Sequence, residues 1–205
     1  MTPAPELLDC LAALDLDWES LRRDTAGVIL FGSRAAGAAR ADSDWDLLCV
    51  GAGSQRLTRR LDMIWVGRAR ACSREQDWIG SELANHVARF GRVLFGERPW
   101  AEDHGRQELA IARKRRQICG HVRGLSSVWP RLNAVYRQRQ LGQLRRDLQR
   151  LELLDVGEVV PPTAMLDRMC CEGVDPEQYV LEALDRAGLG SATLDRQLAA
   201  EPAGS

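Results

Sequence analysis

What this sequence lacks narrows its function before any motif is read. No apolar run approaches the roughly 20 residues needed to cross a bilayer. The start, Met1-Thr2-Pro3-Ala4-Pro5-Glu6, has neither the basic nor the apolar region of a secretory signal, so a cytoplasmic protein with no membrane partner is expected. The 6 cysteines include no C-x-x-C pair, and Cys170 and Cys171 are adjacent, a poor geometry for a disulfide. Structural zinc is therefore disfavoured, and reduced thiols are expected. His86, His104 and His121 lack the spacing of metal ligands; His86 falls near the core face of a helix and reads as structural. Lysine is almost absent: of 28 basic residues only Lys114 is one, a bias that reads as codon usage. There is no repeat and no low-complexity segment.

What is present is an ordinary globular balance, 45% hydrophobic and 28% charged over 205 residues. The net charge of −1 hides a block structure. Residues 1–105 carry 13 basic and 16 acidic side chains, residues 106–150 carry 12 and 2, and residues 151–205 carry 3 and 11. The basic block either pairs with the acidic block inside the protein, attracts phosphate or nucleic acid, or forms an oligomer interface such as a homodimer.

Hydrophobic periodicity divides the chain in the same place. Helical spacing is found over Glu6–Leu16 and Trp18–Arg23, followed by a buried strand Val28–Phe31 and a short helix Arg34–Ala39. Strands then follow over Trp45–Val50 and Leu61–Val66, a helix over Arg74–Phe90, and a strand over Arg92–Phe95. Beyond His104 the pattern is wholly helical, with breaks at Trp129-Pro130 and Pro161-Pro162 and a last helix after Asp175-Pro176. An α/β (α+β) domain over residues 1–103 and a helical C-terminal domain over residues 104–205 are expected.

The chemistry concentrates near the amino end. Asp44 and Asp46 flank Trp45, so on a strand they share one face while the indole takes the other. Two anions side by side repel unless a hard divalent cation with oxygen ligands lies between them. Upstream, Gly32-Ser33 ends a strand and can offer backbone N–H groups and a hydroxyl to a phosphate. Asp62 is the only acid within the next apolar strand, and a carboxylate there is costly unless something binds it.

Gly32-Ser33-Arg34 followed by Asp44-x-Asp46, each closing or opening a hydrophobic run, resembles the nucleotidyltransferase superfamily of DNA polymerase beta. Its small members include minimal nucleotidyltransferases and enzymes that adenylylate aminoglycoside antibiotics. The likeness is good over residues 25–66, loose over 78–100, and absent beyond about residue 105. It implies a mixed sheet flanked by helices, with Gly32, Ser33 and Arg34 binding the nucleotide. It implies Asp44 and Asp46 as ligands of two Mg²⁺ ions, with Mn²⁺ as the alternative, and Asp62 as third ligand and catalytic base. The reaction implied moves a nucleoside monophosphate, AMP from ATP, onto a hydroxyl of a small molecule such as an aminoglycoside-like antibiotic. Two alternatives stay open: a protein or tRNA acceptor, as in toxin–antitoxin nucleotidyltransferases, and a non-catalytic nucleotide-binding relative.

Overall fold

The computed structural model describes residues 3–74, 76–102, 107–169 and 175–189. In chain order the elements are α1 (Pro5–Ala12), α2 (Trp18–Asp24), β1 (Thr25–Phe31), α3 (Gly32–Ala35), β2 (Trp45–Gly51), β3 (Arg56–Leu57), β4 (Leu61–Val66), α4 (Arg68–Ala71), α5 (Gln76–Ile79), α6 (Glu82–Phe90) and β5 (Arg92–Gly96). There follow α7 (Glu108–Val128), a single 3-10 turn Trp129–Arg131, α8 (Ala134–Asp155), α9 (Thr163–Met169) and α10 (Pro176–Arg186). The described chain forms two compact units, residues 1–109 with 159–165, and residues 110–158 with 166–205. The expected boundary at 103/104, and with it His104, lies outside the described residues, as do Cys170 and Cys171.

In the first unit the strands make one mixed sheet in the order β3-β4-β2-β1-β5. β1 runs antiparallel to both β2 and β5, β4 runs parallel to β2, and β3 antiparallel to β4. Apart from Asp46 and Asp62, the central strands β2 and β4 are built of apolar residues because both faces are covered. Val28, Leu30, Leu47, Cys49, Leu61 and Met63 pack on one face with Leu7 and Leu11 of α1 and Leu21 of α2. Ile29, Phe31, Leu48, Val50 and Val66 pack on the other with Ala71, Trp78, Ala84, Val87 and Trp100.

The helices are held by side chains of ordinary capping type. Asp17 caps α2 by accepting from Ser20 N–H at 2.8 Å, and Ser81 caps α6 by accepting from Ala84 N–H at 3.1 Å. At the other end of α6 the Arg98 guanidinium donates to the carbonyls of Val87 and Ala88, where a cation meets the negative helix terminus. His86 faces Phe31 and Phe90, and its Nδ1 donates to Val160 O at 2.7 Å, tying the 159–165 segment to α6. That is the structural role its position in the sequence suggested.

Three expectations need correcting. The single helix expected over 74–90 is two, α5 and α6, separated at Gly80-Ser81. Ser81 caps the second, and Asn85 Nδ2 donates to the carbonyls of Ile79 and Ser81 at 2.8 and 3.2 Å. The spacing was misleading because both segments face the same core. The helix expected over 34–39 is instead Gly32–Ala35, ended near Gly37, whose φ of +69° no right-handed helix contains. β3 was not expected at all; two residues carry no alternation to detect.

The second unit is a helical core in which Ile118, Val122, Leu125 and Trp129 meet Leu141, Leu144, Leu148 and Leu151 of α8 and Val180 and Leu184 of α10. Inside it lies an ion pair: Lys114 Nζ stands 3.4 Å from Asp147 Oδ1, with side chains only 8% and 3% exposed. Arg150 also reaches Asp147 Oδ1, at 3.2 Å. Part of the basic block pairs with the acidic block, as one sequence reading allowed. Arg115 meets Asp155 at 3.4 Å, and Arg145 and Arg146 meet Asp167 at 4.0 and 3.6 Å. The exposed side chains of Arg116, Arg123, Arg131 and Arg139 make no ion pair among the described residues.

Removing one member of a buried pair strands the other charge in a medium of low polarity, at a cost of about 3–5 kcal/mol. Asp147→Ala should therefore lower stability by about 3 kcal/mol in urea unfolding, while the double change Lys114→Met/Asp147→Leu should recover most of that loss.

Candidate active site

β1 delivers the chain to Gly32, and β2 and β4 each deliver a carboxylate at their second residue. The parallel register pairs Asp46 with Asp62 directly, and the antiparallel register pairs Asp46 with Phe31 on the other side. Laterally paired residues in a sheet point to the same face, with strands about 4.8 Å apart. Asp46 and Asp62 thus stand on the face that carries Ile29, Leu48 and Ile64, at its open end. Asp44 lies one residue before β2 begins, so the two aspartates of the motif do not sit within a single strand as the sequence suggested.

Gly32 is required here twice over. Its φ is +69°, a conformation that L side chains rarely adopt. A Cβ built on it would also land on the Asp46 carboxylate. The glycine turn and the carboxylate are consequently in immediate contact, and no side chain caps the first turn of α3. Ser33 occupies that turn, half-buried.

Arg34, expected to bind nucleotide, is engaged with the protein. Its Nε donates to Asp44 O at 3.0 Å and to Ser43 O at 3.2 Å, and its Nη2 donates to Ser43 O at 2.6 Å. Its guanidinium carbon lies 4.3 Å from the centre of the Trp45 ring. Trp45 and Trp78 are buried, and Trp65 is half-buried, in keeping with core roles. Asp42 is exposed, and the turn it belongs to is closed by Ser43, whose Oγ accepts from Arg40 N–H at 2.9 Å.

Electrostatically the site is under tension. Burial, reinforced by the charges of Asp44 and Asp62 and only partly offset by Arg34, pushes the Asp46 carboxyl up to about 7 from 3.8. Burial raises Asp62 as well, against a hydrogen bond from Gln55 and with a further push from Asp44. Asp62 Oδ1 is buried without a hydrogen-bond partner. An orphaned carboxylate oxygen beside a second crowded carboxylate fits a hard divalent cation, whose preferred ligands are such oxygens. Among the described residues, however, no three His, Cys, Asp or Glu side chains converge closely enough to enclose an ion. Strand register joins Asp46 to Asp62, whereas Asp44 acts on both through its charge.

Sequence reading missed Gln55 and the bonds of Arg34 to the backbone. Gln55 follows Gly51-Ala52-Gly53-Ser54, a loop whose composition says only that the chain turns. Carbonyl acceptors leave no mark on residue type.

Against known families, residues 14–84 match the nucleotidyltransferase domain, about a third of the chain. That stretch contains Gly32, Asp44, Asp46 and Asp62 and ends within α6. Among curated proteins, none matches this chain. No helix among the described residues is long and apolar enough to cross a membrane. The glycine turn, the paired carboxylates and the mixed sheet that aligns them thus coincide with the matched segment, and residues 14–84 form a nucleotidyltransferase domain of the DNA polymerase beta-like superfamily, an enzyme fold of nucleotidyl transfer.

Proposed function

We propose that this protein moves AMP from ATP onto a hydroxyl of a small acceptor such as an aminoglycoside-like antibiotic, with Asp44, Asp46 and Asp62 holding two Mg²⁺ ions, or Mn²⁺ in their place. The observation that carries the reading is the lateral pairing of Asp46 with Asp62 against the Gly32 turn. The metal supplies charge neutralisation at the α-phosphate and a lower pKa for the attacking hydroxyl. Gly32 lets the triphosphate approach the backbone without a side chain in the way, and the Ser33 hydroxyl donates to a phosphate oxygen. Asp62, with its unpartnered oxygen, accepts the proton of the acceptor hydroxyl as the hydroxyl oxygen bonds to the α-phosphorus and the bond from phosphorus to the departing pyrophosphate breaks. Residues 1–103 form the catalytic part in this reading, and residues 104–205 select the acceptor.

A second reading, transfer to a tRNA or protein, is favoured by Arg116, Arg123, Arg131 and Arg139, exposed cations without acidic partners among the described residues. Incubation with α-³²P-labelled ATP, Mg²⁺ and separate pools of antibiotics, tRNA and protein distinguishes the two by where label appears. Asp46→Asn should reduce transfer at least about a thousandfold, and Asp44→Asn similarly, because carboxylates that place reacting groups contribute several kcal/mol to the transition state. Undiminished transfer by both variants overturns the assignment.

The raised Asp46 carboxyl makes a second prediction about the apo protein. The folded state holds this proton more tightly than the unfolded chain, so the contribution is favourable below about pH 4 and is lost as pH rises through about 7. In EDTA, thermal stability should fall between pH 5 and 8 by roughly 1–3 kcal/mol more in the wild type than in Asp46→Asn. Added Mg²⁺ should restore the wild type alone. Parallel pH profiles for the two proteins exclude Asp46 as the source.

A further inference from the structure

We propose that Arg34 is a positioning residue, one whose guanidinium locks the Ser43–Asp44 peptide to the glycine turn and so presents the Asp44 carboxylate to a divalent cation. The inference rests on the proposed carboxylate–metal site and assigns a role that the sequence motif did not, since Arg34 there reads as a ligand of the triphosphate.

Three donor contacts from one planar group carry the argument. Nε and Nη2 both reach Ser43 O, and Nε also reaches Asp44 O. Stacking on the buried Trp45 ring at 4.3 Å fixes the plane of the guanidinium while those bonds form. Trp45 N–H is in turn bonded to Arg60 O at 2.8 Å, so the loop is anchored at its strand end as well. Asp44 therefore has its backbone held on both sides, although it lies outside β2. Only its side chain must turn to join Asp46 and Asp62. A guanidinium with this many bonds to the protein has little freedom left to follow a phosphate.

Lysine cannot replace it, because an ammonium offers no planar fork for two adjacent carbonyls and stacks less well on an indole. Charge and geometry make opposite demands, which gives the test its sign. Removing the cation that acts on the Asp46 carboxylate should tighten cation binding if Arg34 acts only through its charge. Releasing the loop should weaken it, on the order of tenfold, the effect typical of groups that orient metal ligands.

The experiment titrates Mn²⁺ calorimetrically into wild type, Arg34→Gln, Arg34→Lys and Asp46→Asn, each saturated with a non-hydrolysable ATP analogue. Affinity for the analogue in EDTA is measured alongside, as is amide exchange over residues 40–46. The expected result is weaker Mn²⁺ binding in both Arg34 variants by about tenfold, faster exchange at Ser43 and Asp44, and analogue affinity in EDTA unchanged within about twofold. Arg34→Lys keeps the charge and serves if Arg34→Gln folds poorly. Tighter Mn²⁺ binding in Arg34→Gln, or lost analogue affinity in EDTA with Mn²⁺ binding intact, overturns the proposal. If wild type and Asp46→Asn bind Mn²⁺ alike, the metal-site reading itself fails, a result separable from failure at Arg34.

Discussion

Two like charges forced side by side are the constraint around which the amino-terminal unit is organised. Parallel pairing of β2 with β4 sets Asp46 against Asp62 without regard for their repulsion, because the register is fixed by the apolar residues that follow each of them. Leu47 with Met63, and Leu48 with Ile64, must meet their respective faces. Shifting either strand by one residue would relieve the carboxylates and turn the whole core inside out. The sheet thus holds an unfavourable local arrangement in place with the favourable burial of everything beyond it.

The same logic extends to the neighbours. Gly32 removes the one side chain that would separate the turn from Asp46, and Arg34 places a delocalised cation close enough to moderate the Asp46 carboxylate while bonding to the loop that carries Asp44. Such strain is typical of sites that await a ligand: a carboxyl raised toward neutrality and an oxygen left without a donor are costs the fold alone does not explain. A divalent cation bound there would remove both.

Much of this was legible in the sequence. The apolar run at 28–31, and those at 45–50 and 61–66 each interrupted by a single aspartate, marked buried strands because both faces of the central sheet are covered, and Asp62 stood out as the acid in such a run. The break at Ser81 was not legible, since two helices packed on one core share a single spacing. Nor was the exclusion of Asp44 from β2, which depends on where the Arg60 carbonyl meets Trp45 N–H. The helical unit was legible as helices, with Leu144, Leu148 and Leu151 at their expected spacing, yet the buried Lys114–Asp147 pair was hidden. On a helix wheel each residue looks like a surface charge.

Anomalous diffraction from a crystal grown with Mn²⁺ and a non-hydrolysable ATP analogue addresses the central claim most directly. Manganese peaks within coordinating distance of Asp46 and Asp62, with the phosphates lying against the Gly32 turn, are the result this account requires. Manganese found elsewhere on the protein, with those two carboxylates still facing each other unligated, would contradict it.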